Sequence, residues 1–196
     1  MRITGGQWRL WLQMLRQAVS EQRYEHCRRV AGEAVRLARH YGFDEEMACL
    51  AGLTHDVARD LPPAELLERA ACYGLTIGPD EEINPIILHA PVGAAILERE
   101  WHITDTAVLT AVSLHTVAAP AMDEFSQLLY LADLIEPGRK KWPELPQLRA
   151  LSYRHTGLAM VMALEGNFRY LTACHNFIHP RATAAYEFFR KKSAEY

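Results

Sequence analysis

The sequence predicts an all-α fold, and two features of the chain support that prediction. Apolar residues recur at the 3.6-residue period of helices, whereas the alternating pattern of half-buried strands is missing. The length of 196 residues suits one substantial core better than two ordinary domains. We therefore expect a single-domain helical bundle.

Nine helices are predicted in chain order. They cover residues 7–19, 21–41, 44–59, 63–73, 84–99, 104–115, 123–136, 156–173 and 181–195. Gly42 supplies a stop after the second helix, and Asn84-Pro85 reads as an N-cap followed by proline at the first helical position. Pro91 is expected to break the fifth helix, because proline removes a backbone donor.

The single domain is expected to have three parts. Residues 1–20 form an N-terminal docking helix, residues 21–136 form the helical core, and residues 137–196 complete the domain with a loop and further helices. Trp8, Trp11 and Val19 recur at helical spacing, which favours docking of the first helix on the domain. A membrane-surface helix is the less favoured alternative, because the polar face is only weakly basic.

Composition excludes several classes of partner. Acidic residues number 24 and basic residues 21, so the chain is no general polycation and no nucleic-acid partner is expected. The sequence contains no signal-peptide core and no apolar run of membrane-spanning length, so no membrane partner is expected. The four cysteines form no C-x-x-C pair, which fits a reducing cytoplasm.

Polar residues interrupt the apolar faces of five predicted helices. His55 points inward from the helix over 44–59, and Asp56 lies about 100° round that helix at the edge of its apolar face. Similar reasoning places a histidine or an aspartate at the interior edge of four more helices. The complete set is His26, His55, Asp56, His89, His115 and Asp133.

Each of these residues alone has an ordinary interpretation. A single inward histidine is usually hydrogen-bonded within the core, and a buried aspartate can cap a helix or form an ion pair. Together, two carboxylates and four imidazoles with no inward lysine or arginine nearby in sequence favour a bound cation. Zinc, manganese, iron, cobalt and nickel all accept such ligands, and six side chains exceed the needs of one structural zinc.

The order of these residues resembles a known signature. His26, the pair His55-Asp56, and Asp133 are similar to the ligands of the HD-domain metal-dependent phosphohydrolases, and His89 with His115 resembles the subset that binds two metals. Longer stretches resemble the YqeK family of symmetrical bis(5'-nucleosyl)-tetraphosphatases, from about Arg23 to Pro180. These stretches are "RYEHCRRVAGEAVRLARHYG", "AGLTHDVARDLP", "LHAPVGA", "LHT", "YLADLIEPGR" and "IHP".

The resemblance implies a two-metal site and a reaction. Four ligands would hold one metal, namely His26, His55, Asp56 and Asp133, and Asp56 would bridge to a second metal held by His89 and His115. Iron is the first choice of metal, with manganese, cobalt, nickel, magnesium or zinc as alternatives. A metal-bridged hydroxide would attack the middle anhydride of diadenosine tetraphosphate and release two ADP, with Asp56, His55 and Arg59 as the catalytic residues.

Basic residues are expected to position the polyphosphate. Arg59 stands where the resembled family often has lysine, and its planar fork would contact a phosphate differently. The other substrate-binding candidates are Arg139, Arg23 and His179, and His179 has structural capping of the last helix as its alternative role. Lys140 and Lys141 have less support, because "GRKKW" also reads as a solvated loop.

Other functions stay open at this point. One is another HD-type nucleotide phosphohydrolase, either a nucleotidase or a guanosine polyphosphate hydrolase. The other is a non-catalytic nucleotide-binding helical protein. The protein is expected to be a monomer or a homodimer.

Overall fold

A computed structural model describes residues 3–140 and 142–194 and confirms the all-α prediction. Over these residues the chain forms helices joined by turns, without strands. The helices are α1 (Gly5–Ala18), α2 (Glu21–Tyr41), α3 (Glu45–Thr54), α4 (Pro63–Cys72), α5 (Pro79–Ile83), α6 (His89–Arg99), α7 (Thr106–Leu114), α8 (Glu124–Ile135), α9 (Leu145–Ser152), α10 (Thr156–Ala173) and α11 (Pro180–Ser193), with a short 3₁₀ helix at Pro85–Leu88.

Local capping explains where several helices begin and end. Asp44, Asp105 and Asp123 each accept backbone N–H groups at the start of α3, α7 and α8, which satisfies donors that have no partner within the helix. Gly42 ends α2 in the left-handed conformation with φ 78°, which glycine adopts without strain.

The helix predicted over 44–59 ends earlier than its periodicity indicates. α3 stops at Thr54, and residues 55–60 continue as turns in which Val57 N–H donates to the Thr54 carbonyl at 3.1 Å. Gly93 of α6 packs against this segment, and a Cβ there would lie 3.3 Å from Val57 Cγ1. His55 and Asp56 therefore lie at the end of α3 and just beyond it, in a segment that packs against α6.

The predicted break at Pro91 is also wrong in position. The helix expected over 84–99 divides between Leu88 and His89, where the 3₁₀ helix gives way to α6. Pro91 lies in the first turn of α6, where its missing N–H has no intrahelical acceptor to lose.

Two helices were not predicted. α5 and α9 are five and eight residues long, and each has a proline at its first or second position. Such short helices contain too few turns for apolar periodicity to be visible.

The core forms where α2 and α3 approach each other closely. A Cβ at Gly52 of α3 would lie 2.5 Å from the Ala31 Cα of α2, so the two backbones meet at this glycine. α8 packs against α2, α7 and α10, which makes it the central helix of the bundle. These three elements, α2, the end of α3, and α8, carry four of the six polar residues singled out in the sequence.

α1 packs on its own chain through two tryptophans. Trp11 is 4% exposed, and its Nε1 donates to the Trp101 carbonyl at 3.1 Å. Trp8 Nε1 donates to Glu46 Oε1 at 3.3 Å. Among the described residues, no helix is both long and apolar enough to cross a membrane.

Candidate metal centre

The structure brings all six residues together, and four of them, Asp56, His89, His115 and Asp133, line one cavity. The ligand atoms of His26, His55 and Asp56 lie within 4.8 Å of one another, as do those of Asp56, His89 and His115. Asp133 joins the first group, because its Oδ1 lies 2.9 Å from His26 Nε2. Two groups of potential metal ligands thus share Asp56.

Asp56 presents one carboxylate oxygen to each group. Its Oδ1 lies 3.3 Å from His89 Nε2 and 3.4 Å from His115 Nε2. Its Oδ2 lies 3.4 Å from His55 Nε2 and 3.8 Å from His26 Nε2. The two oxygens of this carboxylate therefore face two different pairs of histidines.

Each of the four imidazoles is oriented from behind by an oxygen acceptor. The Nδ1–H groups of His55 and His115 donate to the carbonyls of Gly52 at 2.8 Å and Val112 at 2.7 Å, and His89 Nδ1–H donates to the Ile86 carbonyl. Because these oxygens only accept, the proton lies on Nδ1 and the lone pair of Nε2 faces the cluster. Metal-binding histidines in proteins are held in this tautomer by the same kind of partner.

His26 is oriented by a carboxylate instead of a carbonyl. Its Nδ1 lies 3.3 Å from Oε1 of Glu136, a residue that is 2% exposed. Arg29 Nε donates to Glu136 Oε2 at 2.7 Å, and Gly138 N–H donates to the same oxygen. Sequence reasoning missed Glu136, although it follows Asp133 by three residues and so lies one turn further along the end of α8.

The Nε2 atoms need positive charge between them. The Nε2 atoms of His89 and His115 lie 3.2 Å apart, and the Thr116 hydroxyl, 2.9 Å and 3.2 Å away, can donate its proton to one of them only. Within the described residues, the buried Nε2 atoms of His26 and His55 have no hydrogen-bond partner. His26 Nε2 is close to Asp133, but the pair does not have hydrogen-bond geometry.

Clustering of opposite charges also holds both carboxylates in the anionic form. Burial would raise the pKa of Asp56, but His55, His115 and His89 outweigh it and lower the pKa well below its ordinary value. For Asp133, burial is likewise outweighed by Arg139 and His26, and its pKa is lowered. The donor set and the unmatched lone pairs therefore fit divalent metal ions.

The same electrostatic field acts on the imidazoles in two ways. Burial lowers the pKa of His55, but Asp56 and Asp133 outweigh burial and raise it. His89 has its pKa lowered by burial, which keeps it neutral and able to act as a ligand.

Two arginines pair directly with the carboxylates of the cluster. Arg23 Nη1 donates to Asp56 Oδ2 at 2.7 Å, and Arg139 Nη2 donates to Asp133 Oδ1 at 2.6 Å. The expectation that no arginine near in sequence points inward is therefore wrong for Arg23. It lies three residues before His26 on α2, and this spacing puts both side chains on one helix face.

The cluster opens into a cavity of about 550 Å³. All the predicted substrate-binding residues line it, namely Arg23, Arg59, Arg139 and His179. Lys140 is exposed and does not line the cavity, and Lys141 lies outside the described residues.

His179 lines the cavity wall and also caps α11, so the structural capping role is present, and substrate binding stays a prediction. Its Nδ1 accepts the Arg181 N–H at 3.0 Å, and its Nε2 donates to Glu81 Oε1 at 3.1 Å. Both ring nitrogens are thus engaged with the protein, and the contact joins α5 to the start of α11.

A helical bundle with clustered histidines and aspartates of this kind is compatible with the binding of divalent metal ions. Residues 23–138 match the profile of the HD domain, and the chain belongs to the HD-domain family, which confirms the family resemblance.

Relatives with similarity over most of the chain carry more specific names. A Bacillus subtilis protein named symmetrical bis(5'-nucleosyl)-tetraphosphatase is 29% identical, covering 89% of this chain and 93% of that protein. A Halalkalibacterium halodurans protein of the same name is 31% identical, with 89% and 92% coverage. The crystal structure of a predicted HD superfamily hydrolase involved in NAD metabolism from Clostridium acetobutylicum matches with a TM-score of 0.91 and 29% identity, covering 94% of this chain and 97% of that one.

Proposed function

We propose that this protein is a metal-dependent phosphohydrolase that cleaves dinucleoside tetraphosphates symmetrically. Diadenosine tetraphosphate and water would give two ADP. The observation that carries the proposal is Asp56, whose two oxygens face separate pairs of histidines at the floor of a cavity that arginines line. The names of the two bacterial relatives support this choice of substrate.

We assign the metal ligands by the two groups around Asp56. One metal would be held by His26, His55, Asp56 and Asp133, and the other by Asp56, His89 and His115. Iron is our first choice, and manganese, cobalt, nickel, magnesium and zinc suit the same mixed ligands. Two such cations supply a water of lowered pKa and neutralise charge on the phosphoryl group.

The arginines of the cavity would hold the polyphosphate in place. Arg59 lies three residues after Asp56, and Arg23 and Arg139 contact the two carboxylates of the cluster. Guanidinium groups bind phosphate oxygens through two parallel hydrogen bonds, which orients the chain of phosphates as well as neutralising it. With the middle anhydride over Asp56, water adds to one central phosphorus, the bond to the bridging oxygen breaks, and ADP leaves.

The partners that follow from this proposal are small molecules. The substrate and its ADP product are soluble nucleotides, so neither nucleic acid nor a membrane is needed, and a monomer or homodimer in the cytoplasm would suffice. A nucleotidase, a guanosine polyphosphate hydrolase and a non-catalytic nucleotide-binding protein are the alternatives.

Product identification tests the proposal. The protein, loaded with each metal in turn, is incubated with diadenosine tetraphosphate, and the nucleotides are separated by chromatography. We expect ADP alone, whereas AMP with ATP would exclude symmetrical cleavage. Nucleotide binding without turnover would favour the non-catalytic alternative.

A substitution of the bridging residue tests the site itself. Asp56→Ala removes both bridging oxygens, so we expect loss of bound metal and of turnover with unchanged helical circular dichroism. Glu98→Ala, which removes an exposed carboxylate from α6, is the matched control and should keep both. Normal metal content and rate in Asp56→Ala would refute the assignment of the bridge.

A further inference from the structure

We infer that the cavity contains a binding subsite for one nucleobase, on one side only, built by α8, the loop before α9, α10 and the loop before α11. The inference rests on the proposed function, because it concerns how the same cavity binds its nucleotide substrate. With such a subsite, the enzyme recognises the base of one nucleoside of its substrate and does not recognise the base of the other.

Aromatic side chains are distributed unevenly around the cavity. The phenyl, phenol and indole rings that line it belong to Tyr130, Trp142, Tyr170 and Phe177, all from α8 onward. The lining beside His89 and His115 has no phenyl, phenol or indole ring and consists of Asn84, Ile86, Ile87, Thr116 and Val117. A substrate with two identical halves therefore meets two chemically different walls.

Trp142 is held in the aromatic wall by a glycine. A Cβ at Gly166 of α10 would lie 2.9 Å from Cζ3 and 3.1 Å from Cε3 of the indole. The ring therefore packs against the helix backbone, at a distance that only glycine permits. This contact fixes the position of a large aromatic surface that lines the cavity.

Tyr170 and Phe177 leave much of their rings uncovered. Each is 42% exposed, and both line the cavity. Large aromatic side chains bury most of their surface in a core, so two exposed rings at one cavity indicate a surface available for stacking. Flat heteroaromatic rings such as nucleobases stack on aromatic side chains regardless of base identity.

The remaining groups of this wall are neutral and include two amides. From Trp142 to Phe177 the lining residues carry no charge, which suits a base better than a phosphate. Asn167 and Asn176 lie in this wall. Side-chain amides can both donate to and accept from the edge of a purine.

Charged residues of the cavity lie next to the aromatic wall, where the phosphates attached to a stacked nucleoside would extend. Tyr130 is one turn before Asp133 on α8, and Arg139 pairs with Asp133, so the aromatic wall adjoins the metal centre on its Asp133 side. A nucleoside stacked there would extend its phosphates past Arg139 toward Asp56. The second nucleoside would leave on the side of His89 and His115, where the lining offers no phenyl, phenol or indole ring for stacking.

Adenosine 5'-tetraphosphate, which has a single nucleoside, is the decisive substrate. Water addition at the middle anhydride would break it into ADP and pyrophosphate. We expect its kcat/KM to lie within about fivefold of that for diadenosine tetraphosphate. A loss of 100-fold or more would show that both nucleosides are read and would overturn the one-sided subsite.

Substitutions in the wall test the subsite directly. Tyr170→Ala should raise KM for both nucleotides by roughly 5- to 100-fold, the range expected for one stacked base, with a smaller effect on kcat. Tyr170→Phe, which keeps the ring, should restore most of the affinity. Inorganic tetraphosphate has no base, so its inhibition constant should be the same in wild type and Tyr170→Ala. Equal weakening of the inorganic inhibitor would assign Tyr170 to the phosphates and overturn the proposal.

A matched control and a binding assay separate this inference from the proposed activity. Leu158→Ala removes a 39% exposed apolar side chain from the same helix, away from the cavity lining, and should change neither constant. Calorimetric titration with ADP needs no turnover. Weakened ADP binding in Tyr170→Ala would support the subsite even if diadenosine tetraphosphate proved not to be cleaved, and unchanged ADP binding would refute it.

Discussion

The close approach of α2 and α3 at Gly52 makes a quantitative prediction about both stability and metal binding. A methyl group added at Gly52 would lie 2.5 Å from Ala31 Cα, 2.8 Å from Ala31 N and 3.1 Å from Val30 C. Carbon atoms pack at about 3.5–4.0 Å, so the two helices must separate by about 1 Å to accept Gly52→Ala. These atoms belong to the backbone, so no side chain can rotate to make room.

The free-energy cost follows from two opposing effects. Overpacking of this kind costs about 1–3 kcal/mol and more where backbone moves. The better helix propensity of alanine returns about 1 kcal/mol. We expect a net loss of about 2 kcal/mol in the free energy of unfolding, which at about 2–4 °C per kcal/mol lowers Tm by about 4–8 °C.

The same displacement should reach the metal centre. His55 follows Gly52 by three residues and donates to its carbonyl, while His26 lies on the helix that must move. Their ring centroids are 5.4 Å apart, and separation of the helices widens that gap. Gly52→Ala should therefore also bind metal more weakly, measured by calorimetric titration beside denaturant and thermal unfolding.

Gly32→Ala is the matched control on α2. A Cβ there meets nothing closer than Arg36 Nη1 at 3.9 Å, so the substitution should stabilise the protein by up to about 1 kcal/mol and leave metal affinity unchanged. If both variants showed the same Tm and metal affinity, the reasoning from the α2–α3 approach would be wrong.

Three further predictions concern the metal centre and the docking of α1. Glu136→Gln should weaken metal affinity about 10- to 100-fold, because it removes the charge behind His26, and calorimetry that shows both metals bound as in wild type would contradict this. Metal present at about 100 times its Kd contributes about 2.7 kcal/mol to the free energy of unfolding, so its removal by a chelator should lower Tm by about 5–10 °C. A Tm that does not fall on chelation and does not recover when metal is added back would argue against a metal site in the folded protein. Trp11→Ala should destabilise the protein by about 3–5 kcal/mol in denaturant unfolding, whereas Leu10→Ala, at a 54% exposed position, should change stability by less than about 0.5 kcal/mol; similar effects of the two would contradict the packing of α1.

Local chemistry made much of the fold predictable from the sequence. Helix periodicity and caps are properties of neighbouring residues, which is why α2 and α10 were predicted with the bounds that the structure shows. The same periodicity identified the polar residues on apolar faces. Where the chain path depends on a distant partner, as after Thr54 beside Gly93, prediction from local pattern was wrong.

The site shows the same division. Sequence determined by itself which side chains are imidazoles and carboxylates, and that burying them would require compensating charge. Only the tertiary structure decided that the two oxygens of Asp56 face different histidine pairs, that Arg23 reaches Asp56, and that Glu136 lies behind His26. These relations are distances between helices, and they are set by packing among residues far apart in the chain, which the spacing of residues along one helix does not encode.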